Sequence, residues 1–151
     1  MATFQRILVP IDFGEASDRA LQLAVELAGD SEAELTVLHV CEIPIYAYGD
    51  MPVAPVDLLS PLADLARKRL DSLLASLRDQ VPNVRGMLKL GAPWQEILAA
   101  ASELGADLVV MGTHGRRGLA HALLGSVAEK VVRLSPVPVL TARPPPAPSS
   151  S

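Results

Sequence analysis

Five short apolar runs rich in β-branched residues alternate with four segments whose apolar residues recur at helical spacing, and this alternation leaves few folds open. The runs are Ile7 to Ile11, Glu34 to Val40, Val84 to Leu90, Asp107 to Met111 and Val137 to Ala142. Between them come Ala20, Leu23, Ala24, Leu27 and Ala28; Ala66, Leu70, Leu73, Leu74 and Leu77; Trp94, Ile97, Leu98 and Ala101; and Leu124, Val127, Ala128 and Val131. Strand, helix, strand in strict order predicts right-handed βαβ units. Continuously apolar strands predict a parallel sheet covered by helices on both faces. Half of the 151 residues are hydrophobic but only 3% are aromatic, so the core must be built from Leu, Val, Ile and Ala. One proline-rich stretch, Glu42 to about Leu59, reads as a long loop, and long loops in compact domains often carry function. Its Tyr46, Tyr48 and Met51 are candidates for a contact surface.

In open parallel sheets, ligands sit beyond the carboxyl ends of the strands, where the strand order reverses. Two features fall there. Asp12 follows the first strand. The fourth strand runs into Gly112-Thr113-His114-Gly115, and nine residues later Gly125-Ser126 opens the fourth helix. Glycines let backbone N–H groups turn toward a ligand, and a helix start adds unpaired donors with the positive end of a dipole. The pair has the makings of a phosphate cradle. Its plain alternative is a tight connection without a ligand, and Asp12 alone could simply stabilise a helix start. Arg116 and Arg117 add guanidinium groups suited to phosphate, and His114 is a further donor. His39 and His121 read as structural, Trp94 as core, and Cys41 as a small buried residue.

A net charge of −4 and a pI near 5.3 speak against general nucleic-acid binding, which needs a basic face. No apolar run is long enough to span a membrane, and the N-terminus lacks a signal-peptide pattern, so a cytoplasmic protein is expected. A single cysteine allows no internal disulfide. No Walker Gly-x4-Gly-Lys-[Ser/Thr] pattern is present, and Lys68, Lys89 and Lys130 lie in other contexts. A phosphoacceptor receiver reading fails for want of an acidic cluster and a lysine after the fifth strand.

The spacing Gly-x2-Gly-x9-Gly-Ser at Gly112, Gly115, Gly125 and Ser126 resembles that of the universal stress proteins. The likeness extends over nearly the whole chain: Ile7 to Asp12, Leu38-His39-Val40, Gly125 to Val132 and Pro136 to Leu140. It implies a single domain over residues 1–143; the Pro/Ser-rich tail at 144–151 has no residues to pack a core and is expected to be disordered on composition alone. The implied fold is an open, twisted, five-stranded parallel sheet of order 3-2-1-4-5, adenine nucleotide alpha hydrolase-like. The branch it matches binds ATP. The backbones of Gly112, Gly115, Gly125, Ser126 and Val127 would then meet phosphates and ribose, and the Ser126 hydroxyl a phosphate oxygen. Asp12 would meet the ribose or, through water, Mg²⁺. Val40 would read the adenine edge, and Pro10 and Ile11 would line the pocket. His114 and Arg116 are set beside the triphosphate on the electrostatic grounds above. Arg117, where the family often has a small residue, and Thr141, where it has an aliphatic, depart from the pattern. Family members pair the last strand across a two-fold axis, which implies a homodimer through Val137 to Ala142. The expected role is an ATP-dependent regulatory module in the stress response with protein partners yet to be named. A slow ATP hydrolase, or a dimeric, chaperone-like scaffold holding nucleotide incidentally, are the alternatives.

Overall fold

The structure, a computed structural model, describes residues 4–42, 46–48, 51–53, 56–114 and 124–144, with side chains outside 46–60. β1 (Arg6–Ile11) leads into α1 (Glu15–Ser31), followed by β2 (Glu34–Cys41), a short pair β3 (Tyr46–Tyr48) and β4 (Met51–Val53), and α2 (Val56–Leu77). Then come β5 (Val84–Leu90), α3 (Pro93–Leu104), β6 (Leu108–Gly112), α4 (Ser126–Leu134) and β7 (Val139–Ala142). The main sheet has the order β5-β2-β1-β6-β7, with every pairing parallel. Counted among its own five strands, that is the expected 3-2-1-4-5.

β1 lies at the centre of the sheet, and its alternation shows how the two layers form. Ile7, Val9 and Ile11 point into one core with Leu35, Val37 and Val110 of the neighbouring strands. α1 covers this core with Ala20, Ala24 and Ala28, and α2 with Leu70, Leu74 and Leu77. Leu8 points the other way, with Leu38, Val109 and Met111, against Ile97, Ala100 and Ala101 of α3 and Ala128 and Val131 of α4. Fully buried Leu8, Leu35, Leu38 and Ile7 each contribute about 2 kcal/mol of apolar transfer.

Small residues let α1 sit close to the sheet. At Gly112 the approach is closest: a Cβ there would lie 2.7 Å from the Ala16 Cβ and 2.9 Å from the Ser17 backbone nitrogen. Glycine is therefore required at this position by helix-to-strand packing, independently of any ligand.

The expected loop from Glu42 to Leu59 is only partly a loop. β3 and β4 pair antiparallel within it, with Ala47 opposite Pro52, and α2 begins at Val56. Proline density misleads here. Pro52 fits a two-stranded ribbon in which each strand has a single partner, and Pro61 costs α2 one backbone bond within an otherwise helical segment. The proposed contact residues Tyr46, Tyr48 and Met51 have side chains outside the described residues.

Candidate functional site

The parallel register brings the carboxyl ends of three strands level. Ile11 pairs with His39, and Leu8 with Val109. Carried one step past β1, the same offsets place Asp12 beside Val40 on one side and Thr113 on the other.

The β1–α1 turn is knitted by side chains. The Gly14 N–H donates to Asp12 Oδ1 at 2.8 Å. The buried Ser17 hydroxyl lies 2.9 Å from the same oxygen and 3.1 Å from the Gly14 carbonyl, and it accepts from the Asp12 N–H at 3.2 Å. With one proton, that hydroxyl serves Asp12 Oδ1 or the Gly14 carbonyl at any instant. Asp12 Oδ2 makes no hydrogen bond among the described residues. Glu15 and Asp18 occupy the first turn of α1, so this helix start is already supplied with negative charge.

The β6–α4 connection is built differently. The Thr113 N–H donates to the Ala142 carbonyl at 2.8 Å, extending the β6–β7 pairing past Gly112. The Thr113 carbonyl then accepts the Gly125 N–H at 2.6 Å. That single bond ties the two ends of the 114–124 excursion together. Gly125 is the N-cap of α4, with extended backbone and no side-chain cap, and Ser126 is the first helical residue. A helix start without a capping side chain presents main-chain donors and dipole charge to an anion. The one acid of this turn, Glu129, has its carboxylate 3.6 Å from Arg133. Val127 and Leu124 pack on the core beneath the turn. Thr113 is itself buried, and its hydroxyl lies 3.0 Å from His114 Nδ1.

β2 supplies the third side. The Cys41 carbonyl accepts from the Gly91 N–H, on the β5 side. Successive residues of a strand send their polar groups to opposite sides, so the Val40 carbonyl points toward β1 at the level where β1 has already left the sheet. The Val40 side chain packs with Met87 and Trp94 on the α3 side of the core. Trp94 carries the Lys130 ammonium 5.2 Å from its ring centroid, in keeping with a packing role. His39 is structural as expected. Its Nδ1 lies 2.9 Å from the Ile11 carbonyl, and because a carbonyl only accepts, Nδ1 carries the proton. Cys41 is half-exposed rather than buried, because it ends its strand at the rim of the sheet. Partial desolvation still pushes its thiol above the ordinary value.

Pro10, Asp12, Val40, Gly112, His114, Gly125, Ser126 and Val127 thus gather at one end of the sheet, on β1, β2, β6 and the start of α4. Ile11 comes to the same end, but its side chain belongs to the core under α1. Gly115, Arg116, Arg117 and His121 lie outside the described residues. No group of three or more His, Cys, Asp or Glu residues is placed to hold a metal among the described residues. Ser17 and Thr113 escaped the sequence reading. A serine five residues after a strand-ending aspartate was a usable signal; Thr113 was hidden by the glycines around it.

A profile of the universal stress protein family matches residues 3–143. The chain is 32% identical over 147 residues to universal stress protein YxiE of Bacillus subtilis, covering 93% of this chain and 99% of that one. The solved structure of universal stress protein UspA from Lactobacillus plantarum superposes with a TM-score of 0.83 at 26% identity, over 95% of this chain and all of that one. A universal stress protein solved in complex with cAMP superposes with a TM-score of 0.63, also at 26% identity, over 95% of this chain and 100% of the other. The match runs through both halves of the sheet and both connections described above, and on that footing the chain belongs to the universal stress protein family.

Proposed function

We propose that this protein is an ATP-binding regulatory module of the stress response, holding the nucleotide across the carboxyl ends of β1, β2 and β6. The observation that carries this reading is the α4 start. Gly125, fixed by its 2.6 Å bond to the Thr113 carbonyl, opens a helix that no side chain caps, at the level of Asp12 and Val40. Main-chain donors of Gly125, Ser126 and Val127, with the Ser126 hydroxyl, suit phosphate oxygens. The contrast with the acid-bearing start of α1 favours the polyanion on the α4 side. The Val40 carbonyl suits an amino donor such as that of adenine, flanked by Pro10 and the Ile11 backbone. A relative solved with cAMP supports an adenine nucleotide as ligand.

Mg²⁺ fits the residues present. It keeps several waters and takes one or two carboxylates together with phosphate oxygens, and Asp12 Oδ2 is a carboxylate oxygen with no hydrogen bond among the described residues. When bound, the ion would neutralise phosphate charge. Asp12 then orients it or the ribose, while Ser17 and Gly14 orient Asp12. Gly115, His114 and Arg116 complete the proposed phosphate side. β7 is an edge of the sheet, with Leu140 exposed, and pairing of the 137–142 segment with a second copy would cover it.

Calorimetric titration with ATP and Mg²⁺ tests this reading. Saturable heat with a Kd in the micromolar range is expected, and absence of heat at millimolar ATP overturns it. Single-turnover measurement with radiolabelled ATP then separates a binding module, with a rate near background, from a hydrolase.

A further inference from the structure

Two described residues other than glycine have positive φ. Glu32, at 55°, ends α1, where a left-handed residue is ordinary. Phe13, at 62°, has no such excuse. A bulky residue in this region persists only where its surroundings over-determine it. Phe13 lies between Asp12 and Gly14, and the Gly14 N–H to Asp12 Oδ1 bond closes across it. The backbone of Phe13 therefore sets the orientation of the Asp12 carboxylate.

Phe13 packs against the core under α1, and its ring is further held by two other elements. The Arg69 guanidinium of α2 lies over the ring, with Cζ 4.1 Å from the centroid. The His39 ring of β2 lies 4.8 Å away, tilted by 53°, and is itself fixed by its bond to the Ile11 carbonyl. Arg69 is exposed and makes no ion pair among the described residues, and the contact it does make is with the aromatic face, worth about 0.5–1 kcal/mol at an exposed site. We infer that Arg69 is a positioning residue for the nucleotide site: by clamping the Phe13 ring it holds the β1–α1 turn in the one conformation that aims Asp12 at Mg²⁺ or the ribose. The chain of contact runs from α2 through Phe13 to Asp12, and its final step rests on the nucleotide reading above.

The test uses the full chain with Arg69→Met, which keeps an apolar stem without charge, and Arg69→Lys, which keeps a cation. In nucleotide-free protein, hydrogen exchange at the Gly14 amide reports the turn directly. Arg69→Met is expected to speed that exchange roughly two- to fivefold, with Arg69→Lys restoring most of the protection. For Mg-ATP, the same variant is expected to weaken binding by a similar factor, and this loss disappears in an Asp12→Asn background because the two residues act in series. Unchanged Gly14 exchange in Arg69→Met overturns the inference, as does an equal affinity loss with and without Asp12. Should the unaltered chain fail to bind ATP, the nucleotide reading falls, and Gly14 exchange alone decides whether Arg69 sets the turn.

Discussion

The two strand-to-helix junctions at the mouth of the sheet do the same topological job in opposite ways. After β1, side chains fill the turn: Asp12 Oδ1 takes the Gly14 N–H, Ser17 bridges Asp12 and Gly14, and two acids sit in the first helical turn. After β6, the fixed contact is between main-chain groups, Gly125 to Thr113; both helices start at a glycine without a side-chain cap, but the one acid in the first turn of α4, Glu129, is paired with Arg133. A junction that satisfies itself holds one carboxylate in place. A helix start whose one nearby acid is already paired is better suited to receive an anion from outside. Under the proposed reading, the β1–α1 junction would face the metal and the β6–α4 junction the phosphates.

The largest effect is expected where the two junctions touch. Gly112→Val forces a branched side chain against Ala16 and the Ser17 backbone, and such overpacking should cost about 3 kcal/mol, read as a lower urea midpoint. The variant should lose stability whether or not ATP is present, which would make it a poor probe of binding. Next in size is a pair of serine variants that trade effects. Ser126→Pro removes a main-chain donor and a hydroxyl from the α4 start. The first helical position tolerates proline, and the extended Gly125 before it is compatible. ATP affinity should fall about tenfold or more in calorimetry, with little change in unfolding midpoint. Ser17→Ala should do the reverse, losing about 1–2 kcal/mol of stability because the Asp12 N–H and Oδ1 lose their buried partner. If both serines move only stability, the division between the junctions is wrong. The smallest expected effect is at Cys41. Because burial raises its thiol, the pH at which iodoacetamide labels it half-maximally should lie above that of a free cysteine. ATP bound beside Val40 should slow this labelling further.

Much of this architecture is legible in the sequence because it depends on periodicity. Apolar runs at Ile7 to Ile11 and Val84 to Leu90 mark strands where strands occur, and Gly125-Ser126 marks a helix start where one begins. The strand order came from family resemblance, since periodicity does not encode which strands neighbour. Site residues that use the backbone or a lone acid could be placed by their position after a strand. Ser17, Phe13 and Arg69 could not. Their roles depend on a left-handed residue and on a contact between α2 and the first turn, 56 positions apart in the chain (69 − 13), and no local pattern carries that. Proline misdirected the reading of 42–59, because a residue that discourages helix and sheet does not forbid the start of either.

The bond between Thr113 and Gly125 also bears on how such a domain can diversify. With entrance and exit fastened together, a change of length between them costs the fold little: doubling the length of a closed stretch adds only about 0.6 kcal/mol of closure entropy. Residues could be inserted between Thr113 and Gly125 without disturbing the strand before them or the helix after them.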